Sequence, residues 1–238
     1  MRPTDRLAEL SAEYGLPEAA GGQLMELLER VSTAPIALTA VRDATVGVEV
    51  HVADSLAGLR IPAVRAAHRI ADLGSGGGFP GLVLAIALPE AQVALVESVV
   101  KKAAFLRGAA ADLGLAGRVD IVPERAETWP EGIGVADVVT ARALASLPVL
   151  LEYAAPLLHE GGSLVAWKGA RSGEEEADGL AAARALSMSA PEAIALPPGT
   201  VRNASERHLY VSSKLGPTPA GYPRRPGMAR KRPRRASS

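Results

Sequence analysis

Arg69-Ile70-Ala71-Asp72-Leu73-Gly74-Ser75-Gly76-Gly77-Gly78-Phe79-Pro80-Gly81-Leu82 is the stretch whose reading decides the fold. A short apolar run crosses a glycine loop and opens into Leu82-Val83-Leu84-Ala85-Ile86-Ala87-Leu88. That order predicts a strand, a tight turn and the start of a helix. Four glycines between Gly74 and Gly78 remove the Cβ atoms that would hold a ligand away from the backbone. Amides at the helix start point into the same space, and the helix dipole makes it electropositive. Pro80 fits the first helical turn, where a missing N–H costs nothing. The expectation is a nucleotide-type cofactor held at the end of the first strand.

Outward from this loop, strands and helices alternate. Strands are expected at His68–Leu73, Gln92–Val96, Val119–Val122, Val135–Ala141 and Ser163–Trp167. Helices are expected at Gly81–Leu88, Val100–Leu113, Leu147–Leu158 and Glu174–Leu186. In the Val100 helix, Ala104, Phe105 and Ala111, with Leu115 just beyond, are read as the sheet-facing side. Val135–Ala141 is a continuous apolar run of the kind buried in a parallel sheet. Ala193–Leu196 and His208–Ser212 read as a closing antiparallel pair. The pattern predicts an α/β fold with a mostly parallel sheet and helices on both faces, spanning residues 63–213. Upstream, helices are expected at 3–15, from Pro17 to about Val31, and at Val46–Leu59. Together residues 1–62 form a helical cap too small to fold alone.

The 238 residues are 48% hydrophobic but only 3% aromatic, so the core must be built from Ala, Leu and Val. With no cysteine there is no disulfide, thiolate chemistry or cysteine metal site. His51, His68, His159 and His208 lie far apart, and no metal is expected. No apolar run reaches membrane-spanning length and no signal peptide is visible, so a soluble cytoplasmic protein is the default. The net charge of zero hides an asymmetry. From Lys214 to Ser238 there are eight Lys/Arg and no acid, which leaves the remainder at −8. Residues 214–238, rich in proline and glycine, therefore read as a flexible basic tail meeting a polyanion.

Two glycine patterns overlap. Gly76-x-Gly78-x-x-Gly81 matches the dinucleotide fingerprint. Gly74-x-Gly76-x-Gly78 after Asp72 matches the looser loop of S-adenosylmethionine methyltransferases. Glu97, ending the second strand, suits both, because its carboxylate can accept from two ribose hydroxyls.

The wider sequence resembles the bacterial small-subunit ribosomal RNA methyltransferase G family (RsmG), also called glucose-inhibited division protein B. The resemblance rests on Leu38–Asp43, His51–Leu56, Asp72–Gly81, Glu97-Ser98-x-x-Lys101-Lys102-x-x-Phe105-Leu106, Thr140–Leu147, Trp167-Lys168-Gly169 and Tyr222–Gly227. It implies a class I, Rossmann-like methyltransferase that uses S-adenosylmethionine to methylate N7 of a guanine in the 530 loop of 16S rRNA (nucleotide 527). The implied partner is 16S rRNA, the 30S subunit or its precursor. Carried over by position, the family's cofactor contacts fall on Gly74, Phe79, Ala126, Glu127 and Arg142, beside Gly76 and Glu97 from the loop reading. The resemblance departs at Ala37, where members usually have Asn, and at Val50, where an Arg commonly precedes the histidine.

Guanine N7 carries a lone pair and no proton, so methyl transfer to it requires no general base, and no catalytic residue is assigned. His51, Asp54 and Ser55 lie too close together for a hydrolase triad and lack a nucleophile elbow; their expected role is to pack the cap over the cofactor pocket. Arg142, Lys168 and Lys101 or Lys102 are candidate readers of the guanine. Deleting residues 216–238 is expected to weaken RNA binding and spare the cofactor. Two rival readings are an NAD-dependent oxidoreductase, from Gly76-x-Gly78-x-x-Gly81 alone, and a non-catalytic rRNA-binding assembly factor with a vestigial pocket.

Overall fold

The computed structural model describes residues 2–202 and 206–236. Seven strands form one sheet in the order β3-β2-β1-β4-β5-β7-β6. They are β1 (Arg69–Leu73), β2 (Gln92–Val96), β3 (Val119–Val122), β4 (Ala136–Arg142), β5 (Leu158–Lys168), β6 (Glu192–Ala195) and β7 (His208–Ser213). The first five run parallel, and β7 lies antiparallel between β5 and β6. Strand order reverses between β1 and β4. Ligands of open α/β sheets sit at the carboxyl ends of the strands beside such a switch.

Side chains alternate across this sheet and so build two cores. Ile70, Val93, Leu95, Val138, Val165 and Leu209 face one side. They pack with α6 (Gly81–Ala87), α7 (Val100–Asp112) and the N-terminal helices α1 (Pro3–Tyr14) and α2 (Ala20–Thr33). Ala71, Leu73, Val139, Ala141, Leu164 and Tyr210 face the other side. They meet α8 (Leu147–Ala154), α9 (Gly173–Ala185) and the C-terminal turn α10 (Met228–Lys231). The expected helical cap thus shares a core with one face of the sheet.

Most expected elements form within a few residues of their bounds, and the differences have local causes. Helix α8 ends at Ala154 rather than Leu158, because Pro156 has no N–H for the next helical bond. Strand β5 then begins at Leu158, five residues before the expected start, with a register shift against β4. The buried side of α7 is Ala103, Leu106, Ala109 and Ala110, whereas Ala104 and Ala111 are exposed. Alanines around that helix leave its phase unfixed by sequence.

The region expected as one helix over Val46–Leu59 is helical from residue 44 to 60 but changes pitch. It runs through α3 (Ala44–Gly47), a π segment (Val48–Ala53), α4 (Asp54–Leu56) and a 3₁₀ turn (Ala57–Arg60). A separate turn, α5 (Pro62–Arg65), leads into β1. Single π turns inside helices commonly mark functional sites, and this one carries His51.

The C-terminal segment differs most from expectation. Instead of a flexible arm, it lies against α8 and the strand ends. Lys214 Nζ is buried and donates to the Ala155 and Leu158 carbonyls at 2.6 and 2.8 Å. Arg224 makes a two-pronged ion pair with the buried Glu152 carboxylate at 2.5 and 2.6 Å. Ala229 is 1% exposed. A segment without acids looks flexible when read alone, but its carboxylate partner lies about seventy residues upstream. The last two residues of that expected tail, 237–238, lie outside the described residues. No described helix is long and apolar enough to cross a membrane.

Candidate functional site

At the end of β1 the chain turns through Gly74, Gly76 and Gly78 with φ of +67°, +55° and +93°. Only glycine adopts such angles without strain. The turn is tied inward. Gly74 N–H donates to the Val96 carbonyl at 2.8 Å, and Ser75 Oγ donates to the Asp72 carbonyl at 2.9 Å. Gly81 must also be glycine, since a Cβ there would run into Leu95 and the Asp72 carboxylate.

Asp72 lies wholly beneath this loop. Its carboxylate accepts from Thr140 Oγ1 at 2.8 Å and Gly81 N–H at 3.2 Å, joining β1, β4 and the head of α6. Burial pushes its pKa up to about 6, against the pull of those hydrogen bonds.

Glu97, 6% exposed, grips the loop from β2. One carboxylate oxygen accepts from Gly76 N–H at 3.0 Å and the other from Val99 N–H at 2.8 Å. Each oxygen keeps a second lone-pair direction for a ligand hydroxyl. The carboxylate therefore stands on the same rim as the glycine loop.

Around this rim opens a cleft of about 350 Å³. Of the expected cofactor residues, Gly74, Glu97, Ala126 and Glu127 line it. Its walls also include Val96, Lys102, Leu144, Tyr153 and Arg230. Gly76 is not on the wall, but its amide holds Glu97 in place.

Phe79 and Arg142 differ from expectation, because neither lines this cleft. The Phe79 ring stacks on His51, with centroids 4.5 Å apart and planes 12° from parallel. The Arg142 guanidinium lies 5.4 Å from the same ring centroid. Arg142 also donates to the Val50 carbonyl at 2.8 Å and to Asp54 Oδ2 at 2.9 Å. The π segment brings Val50 and His51, and the start of α4 brings Asp54, to one arginine. Because Val50 contributes its carbonyl, its departure from the family's arginine leaves this contact intact.

His51, Asp54 and Ser55 form no triad. Ser55 Oγ donates to the His51 carbonyl within its own helix, and Asp54 pairs with Arg142. Burial, aided by the Arg142 charge, lowers the His51 pKa to about 4, so the imidazole is neutral near pH 7. It ties the cap to the cofactor loop through Phe79 and to Thr39 at 2.8 Å.

A second cleft of about 420 Å³ lies between the cap and the ends of β4 and β5. Its walls include His51, Asp54, Arg142, Trp167, Lys168 and Arg207. Ala143, at φ +53°, borders both clefts. Non-glycine residues with such φ cluster at working sites. Asp54 Oδ1 is buried with no hydrogen-bond partner, although the Arg207 guanidinium stands 3.4 Å away. Of the expected base readers, Arg142 and Lys168 reach this cleft, Lys102 borders the first, and Lys101 lines neither. Sequence reading missed Asp54 and Arg207 as cleft groups. Arg207 is separated from the glycine loop by most of the domain and carries no local signal.

The residues present fit S-adenosylmethionine. Four of the five residues from Gly74 to Gly78 carry no Cβ, Glu97 has lone pairs for ribose hydroxyls, and an amide-bearing turn at Ala126–Thr128 stands beside them. Three acids, Glu97, Glu124 and Glu127, border the cleft together with the cations Lys102, Arg125 and Arg230.

Comparison with known proteins agrees with this geometry. The family model for rRNA small subunit methyltransferase G matches residues 22–199. A protein of that name from Rubrobacter xylanophilus is 44% identical over 189 residues, covering 78% of this chain and 72% of the relative. Its counterpart from Moorella thermoacetica is 36% identical over 250 residues, covering 98% and 99%. Among solved structures, the S-adenosylmethionine-dependent methyltransferase SibL aligns over 90% of this chain and 70% of its own, with a TM-score of 0.59 at 16% identity. A predicted O-methyltransferase, Atu636 from Agrobacterium tumefaciens, aligns over 69% and 81%, with a TM-score of 0.52 at 21% identity. These two likenesses establish the class I methyltransferase fold. On the family match and the length of chain shared with its relatives, the chain belongs to the rRNA small subunit methyltransferase G family.

Proposed function

We propose that this chain uses S-adenosylmethionine to methylate N7 of guanine 527 in the 530 loop of 16S rRNA. The observation that carries the reading is the pair of clefts meeting at Ala143 on the carboxyl rim of the sheet. The first has the glycine loop and the ribose-accepting acid. The second has a polar lining and is large enough for one extruded base.

The cofactor, when bound, supplies an electrophilic methyl group on a sulfonium. Gly74, Glu97, Ala126 and Glu127 would hold it, with Gly76 keeping Glu97 oriented. Guanine N7 needs no deprotonation, so the chain's task is to hold the acceptor in line with the donor and to exclude water. That task suits a site whose histidine is neutral, stacked and engaged with Thr39. The Asp54 carboxylate lines the second cleft, with its Oδ1 buried 3.4 Å from the Arg207 guanidinium. Arg142 holds Asp54 from the other oxygen.

An oxidoreductase reading has less support. It rests on Gly76, Gly78 and Gly81, of which Gly78 and Gly81 are occupied in packing against Leu82, Leu95 and Asp72. The deciding experiment offers labelled S-adenosylmethionine and either free 16S rRNA or 30S particles, then maps the modified base. Label at N7 of nucleotide 527 is the expected outcome. Transfer to another base, or none to either substrate, refutes the proposal.

A further inference from the structure

The cofactor cleft has a wall that the glycine-loop reading does not supply. Residues 222–232 come back over α8 to the mouth of the cleft and are fastened there at several points. Arg224 is locked to Glu152, whose side chain is 3% exposed. Its guanidinium also donates to the Arg232 carbonyl at 2.9 Å, closing the segment into a loop. Tyr222 packs on the core, and Ala229 is buried within it. Gly227, at φ +80°, turns its N–H onto Glu127 Oε1 at 2.9 Å. Arg230 donates to the Leu144 carbonyl at 2.8 Å and borders the cleft itself.

These contacts fall on cleft residues. Glu127 and Leu144 both line the cleft, one on the turn after β3 and the other just after β4. The segment bridges the two sides and fixes the position of each. Arg230 joins Lys102 and Arg125 as a cation on the cleft wall.

We infer that the C-terminal segment is a strap completing the cofactor site, in which Gly227 holds the Glu127 turn and Arg230 is a positioning residue acting on the cofactor through Leu144. This rests on the cofactor reading above. It changes the expected result of removing residues 216–238, since loss of the strap would weaken cofactor binding as well as RNA binding.

The test uses the full chain with S-adenosylhomocysteine as the probe. Arg230 is solvent-exposed as a residue, so replacing it opens no core. Calorimetric titration should show a dissociation constant at least fivefold weaker for Arg230→Met, with Arg230→Lys between that variant and wild type. The thermal midpoints of the unliganded proteins should agree. Hydrogen exchange on wild-type protein supplies a readout independent of any variant. Amides of residues 227–232 should exchange more slowly when the probe is bound. Equal affinity in all three proteins, or exchange in 227–232 that ignores the probe, overturns the inference. Failure of wild-type protein to bind the probe would overturn the cofactor reading itself.

Discussion

Replacing Glu97 by Gln keeps the size and shape of the side chain but removes its charge and one acceptor. In the structure the two carboxylate oxygens accept from Gly76 N–H at 3.0 Å and Val99 N–H at 2.8 Å. A glutamine satisfies one of these amides and turns an NH₂ group toward the other. Leaving a buried donor without a partner costs about 1–3 kcal/mol. Stability should therefore fall by about that amount, measured by urea unfolding followed by circular dichroism. The ligand loses more specifically. One ribose hydroxyl gives up a charge-assisted bond, worth about 1.5–3 kcal/mol. That corresponds to a dissociation constant for S-adenosylhomocysteine weaker by roughly 10- to 100-fold. Titration calorimetry on folded Glu97→Gln protein reads this directly. Binding within twofold of wild type would refute the assignment of Glu97 to the ribose and with it the orientation of the cofactor in the cleft.

The remaining predictions concern the loop and the acid limb of stability. Gly74 and Gly76 both have positive φ, but a Cβ on Gly74 would sit 2.6 Å from Leu144 Cδ1, while one on Gly76 meets only the Gly74 carbonyl at 3.7 Å. Both alanine variants should lose about 1–2 kcal/mol to backbone strain, seen as lower thermal midpoints. Only Gly74→Ala should also push Leu144 into the cleft and weaken S-adenosylhomocysteine at least tenfold. Equal affinities in the two variants would show that Leu144 moves elsewhere. Asp72 and His51 titrate in one window with opposite effects. The Asp72 pKa is raised to about 6, so its contribution is present below about pH 4 and lost as pH rises through 6. The His51 pKa is lowered to about 4, so its contribution is present above about pH 6.5 and lost as pH falls through 4. Each is worth about 2–3 kcal/mol and they oppose each other. Asp72→Asn should therefore make stability fall more steeply than wild type between pH 6.5 and 4. Parallel curves from urea unfolding at pH 7, 5 and 4 would count against this account.

The sequence by itself determined the strand–loop–helix unit at Arg69–Leu82, the alternation of strands and helices, and the placing of Glu97 beside the glycine loop. Those signals are local. Glycines at fixed offsets, apolar runs and an acid ending a strand act over a few residues, and the parallel crossover carries them to a common rim. The family resemblance rested on the same short blocks. Tertiary structure decided what depends on partners far along the chain. It turned Arg142 away from the first cleft, because the π segment and the start of α4 place the Val50 carbonyl and Asp54 within reach of its guanidinium. It buried Phe79 under His51, and it brought Arg207 to Asp54. It also laid the basic C-terminal segment along α8. A run of arginines and prolines predicts freedom only while its counter-charge is unseen, and Glu152 becomes that counter-charge only once α8 has folded onto the sheet.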